Sequence, residues 1–203
     1  MRKRFLFLGV VIGCLLVGCG KDNITSSTSN NKESIKVTTD NKVKGTKFDE
    51  SKLKIELNGQ SIKLPCKVDV LTNIGYKFVN SDEDAVIKPG ELSESIVLIN
   101  ADTDDNVMII VSNNSSTDLK VSQCEVSSIE LSNLIGKNEG FNINGVGFTN
   151  TYEEVVNAIG TPTDTYDNYI GEDCIEYFLK DNSKVIITFR DNTIKKVNYQ
   201  FSL

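Results

Sequence analysis

An α+β fold made of two related units, each a helix followed by antiparallel strands, is what this 203-residue sequence predicts. Three observations carry that expectation. First, the stretches KIELNGQSIKLPCKVDVLTNIGYKF (54–78) and FNINGVGFTNTYEEVVNAIGTP (141–162) share one plan: an alternating segment, Asn-Gly, a helix-like segment, then Ile-Gly. Second, a β-rich run lies downstream of each, DDNVMIIVSNN (104–114) and NSKVIITFRDN (182–192). Self-similarity at the scale of one supersecondary unit is the mark of an internal repeat. Third, residues 174–201 alternate apolar and polar side chains, the period of half-buried strands.

Taken in order, the chain opens MRKRFLFLGVVIGCLLVGC, with Arg2, Lys3 and Arg4 ahead of a run (5–17) that is apolar apart from Cys14. A membrane-spanning helix takes about 20 apolar residues, so this shorter run has the proportions of a signal-peptide core. It ends Leu16-Val17-Gly18-Cys19, which resembles the lipobox of bacterial lipoprotein precursors. The resemblance implies that the Cys19 thiol receives a diacylglyceryl group and that cleavage falls between Gly18 and Cys19. Cys14 sits too deep in the run to serve. Two acyl chains anchor a protein stably where one does not, at about 0.8 kcal/mol per buried methylene. The expected location is the cell membrane, lipid-anchored on its extracytoplasmic face, with residues 1–18 removed. Residues 19–48 are rich in Ser, Thr, Asn and Lys and cannot bury enough apolar surface to offset their ordering entropy. They are predicted to be a disordered tether with a reach of roughly 30 Å.

The first α+β unit is expected over 49–136. Strands at 53–57 and 61–64 meet at Asn58-Gly59, a strong hairpin signal. A short helix follows over 68–74, then strands at 93–100, 106–112 and 119–131. The second unit, 137–203, is clearer. Thr151 or Asn150 can cap a helix with Glu153 and Glu154 in its first turn, where the helix dipole favours anions. Tyr152, Val155, Val156 and Ile159 form an apolar stripe at helical spacing. Gly160 and Pro162 stop the helix. Three strands come next, over 174–179, 184–190 and 193–201.

The pattern T-x-E-E-V-x-x-x-x-G-x-P, carried by Thr151, Glu153, Glu154, Val155, Gly160 and Pro162 and followed by the β meander, resembles a family of bacterial lipoprotein domains. These are the β-lactamase-inhibitor-protein-like repeats and the related SmpA/OmlA-type small lipoproteins. The resemblance implies tandem αβββ units and, as in the inhibitor-like family, use of a sheet face for protein binding. The first unit has the shorter helix and lacks the paired glutamates.

Composition narrows the chemistry. Acidic residues outnumber basic ones, 28 to 22, and three of the cations fall in the signal segment. An acidic chain is not expected to bind nucleic acid or to grip anionic lipid electrostatically. Histidine is absent, which removes Ser-His-Asp and Cys-His catalysis and the commonest zinc ligand. Neither a G-x-S-x-G elbow nor a glycine-rich phosphate loop is present. No enzyme activity, cofactor or metal is expected. Asp102-Thr103-Asp104-Asp105-Asn106 begins like a calcium loop, but Val107 stands where the glycine belongs and Asn113 where the glutamate belongs. It reads as a solvated turn, as does the acidic stretch Ser81-Asp82-Glu83-Asp84.

Beyond Cys19, three cysteines remain: Cys66, Cys124 and Cys174. For Cys66 and Cys124 two outcomes stay open, a disulfide in an oxidising exterior or a pair of small buried thiols. In the last strand Val197, Tyr199 and Phe201 point one way and Lys196, Asn198 and Gln200 the other. The polar set, joined by Thr188 and Arg190 from the strand before, is the expected partner face, and its expected partner is an envelope protein. The rival expectation is a small-ligand or cell-wall glycan binding lipoprotein, with Tyr166, Tyr169 and Tyr177 as its aromatic lining.

Overall fold

Both Asn-Gly pairs of the sequence make tight turns with both residues at positive φ: 51° and 70° at Asn58 and Gly59, 54° and 89° at Asn144 and Gly145. In the computed structural model, which describes residues 48–49, 51, 53–134, 137–179 and 182–201, the first turn joins β1 (Ile55–Leu57) to β2 (Gln60–Ile62). The second follows β9 (Asn142–Ile143), whose Ile143 bridges back to Val146. β9 lies antiparallel on β1, giving a three-stranded sheet in the order β2-β1-β9.

Each turn leads into a helix. α1 (Val68–Asn73) has no side-chain cap at its start and buries Val68 and Leu71. A helix this short is marginal on its own, so tertiary contacts must hold it. Two side-chain amides serve its C-terminal end: Asn58 Nδ2 and Asn100 Nδ2 donate to Ile74 O at 3.3 and 3.4 Å. α2 (Tyr152–Ile159) begins with a reciprocal cap. Thr151 Oγ1 accepts from Glu154 N at 3.4 Å, and Glu154 Oε2 accepts from Thr151 N at 2.7 Å. Of the two cap residues the sequence allows, Thr151 is the one used. At its other end Tyr177 donates its hydroxyl to Gly160 O at 2.9 Å, and Asn144 Nδ2 reaches Ala158 O at 3.5 Å.

The remaining strands are β3 (Lys77–Phe78), β4 (Val86–Ile87), β5 (Ile96–Asn100), β6 (Asp105–Ser112), β7 (Leu119–Lys120), β8 (Glu125–Ser132), β10 (Asp164–Asp167), β11 (Asp173–Phe178), β12 (Lys184–Arg190) and β13 (Thr193–Gln200). β4 and β7 pair separately. The other eight form one antiparallel sheet in the order β10-β11-β12-β13-β8-β6-β5-β3. The chain therefore builds this sheet twice from edge to centre, once from β3 to β8 and once from β10 to β13. The two final strands meet in the middle, with Asn198 opposite Glu130. Each final strand carries a bulge. Ser127 is the extra residue of β8 against β6, and Lys195 the extra residue of β13 against β12.

The sheet-rich α+β class agrees with the sequence expectation, and several elements differ in detail. The strand expected over 119–131 is broken by a 3-10 turn at Val121–Gln123 and resumes only at Glu125. The last four strands include β10, whose residues are all exposed and show no alternation to read. Leu64-Pro65 is a cis peptide. Phe48, expected at the end of the tether, packs its ring on Tyr177 at 5.0 Å and donates its N–H to Phe178 O at 2.7 Å.

One face of the large sheet is dry. Leu98, Val107, Ile109, Ile129, Ile175, Tyr177, Val185 and Ile187 join the helices and the small sheet in a single apolar cluster. Full burial of each such side chain contributes about 1.5–3 kcal/mol. The described residues all fall within one compact unit spanning Thr39–Leu203. Among them no helix is long and apolar enough to cross a membrane. Cys19 and its cleavage site with Gly18 lie outside the described residues.

Candidate functional site

Alternation along β6, β8 and β13 sends every second side chain to the face opposite the helices. Cross-strand register then sets out that face in rows. One row runs Asp164, Glu176, Ile186, Asn198, Glu130, Met108, Val97. A second runs Tyr166, Cys174, Thr188, Lys196, Ser132. The bulge at Lys195 explains why Lys195 and Lys196 are both partly exposed while Ile194 and Val197 are buried.

The structure brings Thr188, Arg190, Lys196, Asn198 and Gln200 to this one face. Their environments differ. Thr188 is 2% exposed, with its hydroxyl 3.6 Å from Cys174 Sγ. Arg190 donates from Nε to Glu172 Oε1 at 2.7 Å and also pairs through its Nη2. Lys196 Nζ stands 3.6 Å from Glu130 Oε2, to which Asn198 Nδ2 donates at 3.1 Å. Lys184, on the neighbouring row, sits 2.8 Å from the buried Glu176 Oε1. Three cations of the face, Lys184, Arg190 and Lys196, are thus matched by carboxylates of the same face. Asn198 Oδ1, at the centre, is buried and accepts no hydrogen bond. Around these polar groups Ile99 and Phe178 are exposed, and Val97, Met108, Ile110 and Ile186 are half-buried. The surface mixes apolar side chains with ion-paired charge.

The tyrosines proposed for a ligand site do not converge. Tyr177 belongs to the core and is fully buried, which pushes its hydroxyl well above the usual tyrosine range. Tyr166 lies on the opposite face of the sheet, paired with Cys174. Tyr169 stands at a hairpin tip, 98% exposed. A cleft of about 510 Å³ does open between the first hairpin and the end of β13, floored by Ile55, Ile62, Leu64 and Tyr199 and rimmed by Asp49 and Lys63. None of the three tyrosines lines it.

Cys66 and Cys124 are free thiols in the structure, not the disulfide the sequence allows. The reason is register. Val126 N donates to Cys66 O and Val68 N to Cys124 O, with Lys67 bridged to Glu125, so the two cysteines are diagonal neighbours. Diagonal Cα atoms stand about 7–8 Å apart, beyond the usual disulfide range of about 4.4–6.8 Å. Burial, helped by Asp69, pushes the Cys66 thiol up to about 11. Cys124 donates to Lys120 O at 3.4 Å. Among the described residues no three Cys, Asp or Glu side chains gather as a metal site.

Compared with known proteins, the chain matches no family model, no curated protein and no solved structure.

Proposed function

We propose that this protein is a membrane-anchored extracytoplasmic lipoprotein whose body is a non-catalytic protein-interaction module of the cell envelope. The observation that carries the interaction reading is the eight-stranded sheet, with both helices of the described residues on one face. The middle of its other face offers apolar side chains among charges that are paired, Lys184, Arg190 and Lys196 with Glu176, Glu172 and Glu130, so a protein surface can be covered there without stranding them. The anchor reading rests on the cationic start, the short apolar run and the Leu16-Val17-Gly18-Cys19 box.

The body is a tandem duplication of the kind found in the inhibitor-like repeats. Four correspondences support this. Each half runs Asn-Gly turn, helix, Ile-Gly, then four strands from edge to centre. Asn58 and Asn144 each donate to the end of the helix that follows them. The final strands pair with each other. The bulge residues Ser127 and Lys195 stand three places before Glu130 and Asn198, the residues that face one another at the centre.

A glycan or small-ligand role has less support, because the 510 Å³ cleft offers a single aromatic, Tyr199, that is only 3% exposed. The test is retention of envelope extract on the immobilised chain from residue 20 onward. Stoichiometric recovery of one protein, lost with charge reversal at Glu130 and Lys196, is the expected result. Retention of wall glycan with no protein would overturn the reading.

A further inference from the structure

β10 and β11 form a hairpin that projects the turn Asn168–Gly171 from the edge of the large sheet. The turn is tightly determined. Asn168 Oδ1 accepts from Ile170 N at 3.1 Å and from Glu172 N at 3.0 Å, and its Nδ2 donates to Glu172 Oε2 at 3.0 Å. Backbone bonds close it as well, from Gly171 N to Asn168 O and from Asn168 N to Glu172 O, both at 2.9 Å. Arg190 on β12 holds Glu172 from outside. These bonds to Asn168, with Arg190, draw the Glu172 carboxyl below its ordinary range. Everything the turn needs comes from Asn168, Gly171 and Glu172. Nothing in it calls for the two side chains at its tip, yet these are Tyr169, 98% exposed, and Ile170, 57% exposed.

A single exposed apolar residue is ordinary. A pre-ordered tip presenting tyrosine and isoleucine together has the makings of an interface anchor, because little entropy is left to lose when it docks. Charge says what it would dock on. Residues 164–176 hold five carboxylates and no lysine or arginine. Glu172 and Glu176 are matched by Arg190 and Lys184. Asp164, Asp167 and Asp173 have no ion pair among the described residues. Asp167 and Asp173 are direct cross-strand partners, an arrangement that like charges disfavour. Burial, and then Asp167, through its charge and through a hydrogen bond between the two carboxyls, raise the Asp173 carboxyl. A cation placed between the two would relieve that repulsion. The same acidity opposes an anionic lipid surface.

We propose that this hairpin is the anchor by which the chain engages a basic protein: Tyr169 and Ile170 enter an apolar recess on the partner, and a partner lysine or arginine sits between Asp167 and Asp173. The inference rests on the interaction-module reading and names its partner's chemistry.

The test is photo-crosslinking of the full chain in cells, with p-benzoylphenylalanine in place of Tyr169 in one strain, of Asn198 in a second, and of the remote, exposed Leu92 in a third. The expected result is an adduct through position 169, absent from position 92, to one protein of basic isoelectric point. That protein, purified, should bind the wild-type chain and bind the Y169A/I170A variant about tenfold or more weakly. Its affinity should fall as salt rises from about 0.05 to about 0.5 M. Both side chains are exposed, so the variant should keep its thermal midpoint. An adduct through position 198 but none through 169 overturns the hairpin proposal and leaves the module reading standing. No adduct at either position overturns both. An adduct to phospholipid, to an acidic protein, or to a protein that binds the variant as tightly overturns the hairpin proposal.

Discussion

Asp105 sits uncomfortably in the fold. It is 1% exposed, and neither carboxylate oxygen has a hydrogen-bond partner. Gly140 makes room for it: a Cβ there would meet Asp105 Oδ2 at 2.8 Å. An uncompensated buried polar group costs about 1–3 kcal/mol, more if charged. Asp105→Asn, equal in shape and uncharged, is therefore expected to raise the urea midpoint, and a lowered midpoint would mean that the carboxylate is stabilised by a partner. Cys66 gives a second residue-scale test. With its thiol near 11, the reactive thiolate is scarce at neutral pH. Alkylation of Cys66, followed by mass spectrometry, should be slow at pH 8 and accelerate steadily toward pH 11; fast labelling at pH 7 would contradict the half-buried placement. The burial of Asp105 was not legible in the sequence, where it reads as part of a solvated turn, and Cys66 stayed open there between half of a bridge and a small buried thiol. Both depend on which distant strand lies alongside.

Among the elements, α2 was readable almost to its ends because its signals are local: a threonine, a glutamate three residues on, an apolar stripe and a glycine. Loss of the Thr151 side chain removes one side of the capping box, so Thr151→Ala should cost about 0.5–2 kcal/mol in equilibrium unfolding. Hydrogen bonds from Thr151 N, Thr151 Oγ1 and Asn150, the backbone one foremost, hold the Glu154 carboxyl below its ordinary value. A lowered folded value means that the stabilisation is fully present above the unfolded value near 4.5 and disappears as pH falls through the folded one. Glu154→Gln keeps the geometry and should flatten that part of the pH profile; an unchanged profile would contradict the cap. α1 depends on its end instead. Gly75 has φ of +99°, and a Cβ there would stand 2.9 Å from Asn100 Nδ2, which supports Ile74 O. Gly75→Ala should cost about 1–2 kcal/mol from the backbone alone, read as a fall in thermal midpoint. Some strands escaped the sequence for a physical reason: β3 and β4 are two residues long, too short to show a period, and β10 is exposed throughout and shows no alternation of burial.

At the scale of the whole molecule, the shared Asn-Gly and Ile-Gly pairs were legible in the sequence, whereas the pairing of β8 with β13 was not. Pattern within a strand says which face is buried and nothing about which strand lies beside it. That pairing merges the two halves into one sheet and sets Thr188, Arg190, Lys196, Asn198 and Gln200 on one surface with Glu130 of the first half. The proposed anchored display of this body outside the cytoplasm is the premise of any envelope partner, and it turns on one thiol. Radiolabelled palmitate fed to cells should appear in the wild-type protein and be absent from the Cys19→Ser variant, which should accumulate at the mass of the uncut chain; equal label and equal mass in the two proteins would contradict the lipoprotein assignment.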